Sequence, residues 1–249
     1  MKNHICIFVA YLNFDIIKSS FDSIKNAENV DFFIIENASN NSDKIEQYFL
    51  DKNLIGYIRF NENIASNAID VFIENYNHII KQYKYITITD GDLYVYDIDD
   101  LFNEIKYNLQ NDDISVCVSQ LYKGNSYVRK DKVIGVEKYE SIMNSREMIH
   151  HGFIEKFTGC YFLTIKNEDI HLLNPFRKID GWPSDCPITD SEIYHRVCKL
   201  NKMYTMTKKN LVYHLTWDLY YEESEYYKFK IENPKIWTQI KYSEYKIIK

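Results

Sequence analysis

Short apolar runs and stretches of helical period alternate along the first 120 residues of the chain. "ICIFVAYL" (5–12), "DFFIIE" (31–36), "LIGYIRF" (54–60), "YITIT" (85–89) and "ISVCVSQL" (114–121) have the length and β-branched or aromatic content of strands buried on both faces. Between them, Ile69, Phe72, Ile73, Tyr76, Ile80 and Tyr83 fall on one helical face, and Ile98, Leu101, Phe102, Ile105 and Leu109 do so again. The order is therefore βαβαβαβαβ. It predicts an α/β fold with a Rossmann-like, mostly parallel sheet flanked by helices, in which ligands bind in the crevice at the carboxyl ends of the strands.

Polar residues collect at those ends. Asn13 follows the first run, Glu36 and Asn37 the second, Asn61 and Asn63 the third, and Asp90, Gly91 and Asp92 close the fourth in "YKYITITDGDLYVYD" (83–97). Two carboxylates one residue apart repel, so the pair needs a cation, hydrogen-bond donors or open water. Carboxylates are hard oxygen ligands, suited to Mg2+ or Mn2+ carrying a diphosphate, and Gly91 removes a side chain where a ligand or metal would approach the backbone. A plain turn is the competing reading, because Asp and Gly are ordinary turn formers.

Composition narrows the partners. With 249 residues, 45% of them hydrophobic, the chain can bury a sizeable core. Its net charge of -6 and the lack of long basic runs argue against nucleic acid. The five cysteines (6, 117, 160, 186, 198) form no CxxC pair or short Cys/His pattern and read as reduced core residues. The first apolar run is too short for a membrane span and lacks a cleavage site, which leads to the expectation of a cytoplasmic protein.

These motifs together resemble a family 2-type glycosyltransferase with the GT-A fold. "VAYLNFDIIKSSFDSI" is similar to the family's opening strand and helix, "IIENASNNSD" to its second-strand Val-Asp-Asn-x-Ser-x-Asp, and "FNENIASNAIDVF" to the Asn-x-Gly and following Asn of its third loop. Glu36 stands where Asp is usual and Ala65 where Gly is common. The resemblance implies a nucleotide-sugar donor held by Asn13, Glu36, Asn37, Asn63, Asn67, Asp90 and Gly91, with uridine favoured because Glu36 and Asn37 keep acceptor oxygens. It implies a divalent cation, Mn2+ or Mg2+, on Asp92 with Asp90 and His214. The acceptor would be a saccharide or glycolipid.

Further along, "FTGCYFLTIK" (157–166) resembles the strand that returns to the sheet beneath the acceptor site. "TDSEIYHRV" (189–197) resembles Glu-Asp-x-Asp-Leu-x-x-Arg, placing Asp190 and Arg196 on matching positions. Asp190 would then be the general base of an inverting transfer; the alternative is a helix N-cap for Ile193, Val197 and Leu200. His214, within "LVYHLTWD", is either a satisfied core histidine or the last metal ligand. Trp182 in "GWPSDCP" suits a rigid acceptor-side loop whose ring stacks on a sugar.

The expected layout is a donor half at 1–120, an acceptor half of the same domain at 121–215, and a helical C-terminal tail at 216–249. That tail interleaves Lys with Tyr, Phe and Trp, which suits either a membrane interface or packing of Ile236, Ile240 and Ile247 on the domain or a second subunit. Two other functions compete. One is a non-catalytic nucleotide- or sugar-binding module of the same fold. The other, an Asp-x-Asp phosphatase, fits less well, because Tyr94 takes the place of its Thr and some ninety residues of α/β structure come first.

Overall fold

The computed structural model describes residues 2–11, 13–120, 148–149, 152–154, 161–174, 193, 196–209, 211–216, 223, 225, 228 and 242–249. The first half runs β1 (Lys2–Ala10), α1 (Phe14–Ile24), β2 (Val30–Asn37), α2 (Ser42–Leu50), β3 (Gly56–Phe60), α3 (Asn67–Asn75), α4 (Asn77–Ile80), β4 (Tyr83–Asp90), β5 (Leu93–Val95), α5 (Ile98–Leu109) and β6 (Ile114–Val118). The second half adds β7 (Met148–Ile149), β8 (Gly152–Ile154), β9 (Phe162–Lys166), a 3-10 helix (Asn167–Leu173), β10 (Met203–Met206), β11 (Val212–His214) and β12 (Tyr245–Ile247).

Ten strands form one sheet in the order β12-β3-β2-β1-β4-β9-β6-β10-β8-β7. β3, β2, β1 and β4 are mutually parallel, as the alternation of strand and helix predicts. Period-two geometry then splits β1 between two cores. Ile5 and Ile7 face a cluster with Phe33, Ile58 and the α3 residues Ile69, Phe72 and Ile73. Cys6, Phe8 and Ala10 face the opposite cluster, built with Phe21 of α1, Phe49 of α2 and Leu101, Phe102 and Ile105 of α5.

β9 inserts antiparallel between β4 and β6, so the strand expected to return to the sheet does so and the second half of the chain completes the sheet of the first. Two differences from the sequence expectation concern helices. The single helix expected up to Tyr83 is two, interrupted at Tyr76, and Tyr83 begins β4 as a buried core residue. The tail is helical at Glu225 and Lys228 but ends in a strand, β12, paired antiparallel with β3; Ile247 is exposed there rather than packed as a helix contact. An unpaired β3 edge offers hydrogen bonds that an extended segment can take and a helix cannot. Of the cysteines described, Cys6 and Cys117 are buried free thiols as expected, whereas Cys198 is exposed. Among the described residues no helix is long and apolar enough to cross a membrane.

Candidate active site

The sheet brings the ends of β1, β2 and β4 to one level: Ala10 is in register with Glu36, and Val9 with Asp90. Asp90, the last residue of β4, is exposed, and its backbone N–H donates to the Tyr161 carbonyl at 3.0 Å. One residue on, Gly91 is buried against the end of β1. A Cβ there would lie 2.6 Å from the Val9 carbonyl oxygen and 3.1 Å from the Ala10 Cα. Close approach of two backbones therefore accounts for this glycine, where the sequence suggested room for a ligand.

Asp92 is anchored at both its backbone and its carboxylate. Its carbonyl accepts from the Leu215 N–H at 2.8 Å, next to the antiparallel pairing of β5 with β11 that sets His214 opposite Leu93. Its Oδ2 accepts from the Thr216 hydroxyl at 2.8 Å and lies 3.6 Å from His214 Nδ1. The Thr216 oxygen in turn is 2.9 Å from that same Nδ1, and the Tyr161 ring meets the imidazole edge-on at 5.5 Å. Asp92 and His214, 122 positions apart in the sequence, are thus neighbours, as the metal-site expectation required. A carboxylate oxygen and an imidazole form a donor set that Mn2+ accepts. Among the described residues no group of three or more His, Cys, Asp or Glu is gathered to hold an ion. The two-residue set still fits a cation of this kind, because such ions are commonly held by one or two protein ligands with substrate phosphates and water completing the shell.

The residues at the ends of β2 and β3 have a different part. Glu36 is fully buried and its Oε2 is bound by the Tyr57 hydroxyl and, at 3.0 Å, by Arg59 Nε; Arg59 also pairs with Glu46. Burial and then the Glu36 carboxylate push the Tyr57 phenol well above its ordinary range. Glu36 thus ties β2 to β3 and α2, which corrects the expectation that it touches a base. Asn37 is likewise buried, accepting from the Ile64 N–H at 2.9 Å and donating to the Ala65 carbonyl at 3.1 Å. Asn67 donates to the Ile64 carbonyl at 3.0 Å. Both asparagines shape the β3–α3 loop from within.

Two of the expected donor residues keep an outward position. Asn13 is exposed at the head of α1, where its Oδ1 caps the helix by accepting from the Asp15 N–H at 2.8 Å. Asn63 is half-buried; it accepts from the Ala65 N–H at 2.9 Å and hydrogen-bonds Tyr11 beyond β1. Ala65 has φ 49°, a left-handed conformation that explains why a glycine is common at this place, and Ala38 has φ 55°. Arg196 donates to the Leu172 carbonyl at 2.9 Å, locking its helix to the 3-10 helix, while Ile193 and Val197 are buried and Leu200 is exposed. Asp190 and Trp182 lie outside the described residues.

Sequence reasoning missed Thr216, Tyr57, Arg59 and Tyr161. Only Thr216 carried a signal, its spacing of two from His214. The others act through partners far away in the chain.

The Rossmann-like sheet with β9 returned antiparallel beside β4 is a fold shared with glycosyltransferases of known structure. The mannosyltransferase PcManGT from Pyrobaculum calidifontis, solved in complex with GDP-Man and Mn2+, matches 93% of this chain and 60% of its own at a TM-score of 0.57 and 14% identity. TarS of S. aureus, as residues 1–349, matches 86% of this chain and 60% of its own at a TM-score of 0.53 and 11% identity. In sequence, the chain is similar to the uncharacterised proteins L142 and L137 of Acanthamoeba polyphaga mimivirus. L142 is 32% identical over 94% of this chain and L137 is 27% identical over 97%. The chain spans only 48% of L142 and 33% of L137. No family model matches.

Proposed function

We propose that the chain is a nucleotide-sugar-dependent glycosyltransferase, metal-dependent and inverting, that moves a sugar onto a saccharide or glycolipid hydroxyl. The observation that carries this is the placement of the Asp92 carboxylate beside His214 at the end of β4, within a fold shared with glycosyltransferases. Asp92 and His214 would hold the cation, and Asp90, exposed at the last position of β4, would meet the ribose or the same ion. When bound, the cation neutralises charge on the departing diphosphate. Asp190 takes the proton from the acceptor hydroxyl as its oxygen bonds to the anomeric carbon and the bond to the diphosphate breaks. Asn13 and Asn63 line the donor side, and Trp182 and Arg196 the acceptor side.

The donor is expected to be uridine-linked on the family resemblance. Glu36 and Asn37, which carried that expectation, face inward, so titration of UDP, GDP and CDP with Mn2+ decides it. The fold favours a transferase over a phosphatase, and a non-catalytic binder of the same fold remains the second reading because Thr189 replaces the family's Glu. Hydrolysis of a labelled nucleotide sugar with and without Mn2+ tests the function. Mn2+-dependent release of nucleotide supports the transferase. Binding without turnover supports the binder, and release of phosphate from simple phosphomonoesters would overturn both.

A further inference from the structure

The loop between β3 and α3 is held from two sides. On the β2 side, Asn37 accepts from the Ile64 N–H at 2.9 Å and donates to the Ala65 carbonyl at 3.1 Å. On the other side lie the residues that lead into β12. The Ser243 hydroxyl, 181 positions away from Glu62, accepts from the Glu62 N–H at 3.0 Å and donates to the Glu244 carbonyl at 3.0 Å. That carbonyl also accepts from the Asn61 N–H at 2.9 Å. One hydroxyl, on a side chain buried to 6% exposure, thus closes a ring that takes in two successive loop amides. Its hydrogen goes to a carbonyl and one of its lone pairs to an amide, so the two contacts do not compete. β12 fixes where Ser243 stands: it pairs with β3 from Tyr245 opposite Phe60 to Ile247 opposite Ile58, and the Tyr245 and Phe60 rings meet at 5.4 Å.

Asn63 is the residue between the two holds. Its Oδ1 accepts from the Ala65 N–H at 2.9 Å, and it hydrogen-bonds Tyr11 beyond β1. The backbone is fixed on either side of it, and the fixed backbone sets where its side chain stands. We infer that Ser243 is a positioning residue for nucleotide binding, which holds the β3–α3 loop so that Asn63 is presented on the donor side. The inference rests on the reading of Asn63 as a donor residue proposed above. Without the hydroxyl, the Glu62 amide loses its partner and the loop gains conformations in which Asn63 is displaced. Affinity then falls in proportion to the fraction of molecules that keep the competent loop. A hydrogen bond of ordinary net strength sets the size of that fall at about 2- to 10-fold.

The test compares Ser243→Ala, Ser243→Thr and Lys249→Ala in the full chain. Lys249 donates from Nζ to the Lys52 carbonyl at 2.7 Å, at the other end of the same segment, and so serves as a control that loosens β12 away from the loop. Amide hydrogen exchange should be slow at Asn61 and Glu62 in the wild type and faster at Glu62 in Ser243→Ala, with β1 and β4 unchanged. Calorimetric titration with UDP, GDP and CDP in the presence of Mn2+ gives the affinities. Whichever nucleotide binds should bind about 2- to 10-fold more weakly to Ser243→Ala and near normally to Ser243→Thr, which keeps the hydroxyl, and to Lys249→Ala. A folded Ser243→Ala that binds as tightly as the wild type overturns the inference and leaves the transferase reading standing. Equal losses in Ser243→Ala and Lys249→Ala overturn it too, because the effect then belongs to β12 as a whole. A wild type that binds none of the three nucleotides, with its Glu62 amide protected, overturns the transferase reading and the binding role of Ser243 with it.

Discussion

Replacing Gly91 with alanine separates two reasons for a glycine inside the Asp-x-Asp. The new Cβ would lie 2.6 Å from the Val9 carbonyl oxygen, 3.1 Å from the Ala10 Cα and 3.4 Å from the Phe8 ring. A carbon-to-oxygen contact of that kind relaxes fully only if one backbone retreats by close to an ångström, given carbon contacts near their optimum at about 3.5 Å or more. β1 cannot yield easily, because it is hydrogen-bonded to β2 on one side and β4 on the other. The turn carrying Asp90 and Asp92 must move instead, against the bonds from Asp90 to Tyr161 and from Leu215 to Asp92. Overpacking of this sort costs about 1–3 kcal/mol. In a chain of this length that corresponds to a fall in Tm of roughly 2–4 °C per kcal/mol. Urea or thermal unfolding of the metal-free, nucleotide-free Gly91→Ala protein measures it. The same displacement should weaken Mn2+-dependent nucleotide binding. A variant as stable as the wild type to within about 0.5 kcal/mol, the ordinary scatter of a harmless surface change, would refute backbone contact as the reason for Gly91.

Other consequences are independent of that turn. Buried His4, whose Nε2 is 2.6 Å from the Thr87 hydroxyl, is held down to about 3 by burial and by the Lys106 ammonium. The unfolded chain therefore binds a proton near pH 6.5 that the folded chain refuses until about pH 3, so His4 costs no stability above pH 6.5 and progressively destabilises below it. Stability should fall by up to about 1.4 kcal/mol per pH unit from this group across that window, and His4→Gln should flatten the slope in urea melts taken at successive pH values. Ala65→Gly relieves a left-handed alanine and, after the entropy that glycine adds to the unfolded chain, should raise stability by about 0.5–1 kcal/mol in the same melts. Asp92→Asn should reduce Mn2+-dependent nucleotide binding and transfer together, because an amide is a poorer ligand for a hard cation. Asp190→Asn should leave calorimetric nucleotide affinity near normal while turnover drops by about 10²- to 10⁴-fold, and near-normal transfer by that variant would remove Asp190 as the base.

The alternation of buried runs with helical stretches was legible because burial repeats locally: two residues per period in a strand and 3.6 in a helix. It led to β1, β2, β3, β4 and β6, to α5, and to the row of polar residues at the strand ends, since chain order alone places those residues after each strand. Which of these polar groups face a ligand is a matter of what packs against them, and periodicity is silent there. Glu36 turns inward because Tyr57 and Arg59, on the neighbouring strand, offer it a proton donor and a cation. Asn37 turns inward because the β3–α3 loop presents the Ile64 N–H and the Ala65 carbonyl at the right height. The slot of β9 between β4 and β6, the strand at the end of the tail and the contacts of Thr216 with Asp92 and His214 likewise join segments far apart in sequence. The family resemblance led to the return of β9 and to Asp92 beside His214, whereas the slot, the tail strand and the Thr216 contacts depend on which open edge or unsatisfied atom each segment meets once the sheet exists, so the tertiary structure alone decided those.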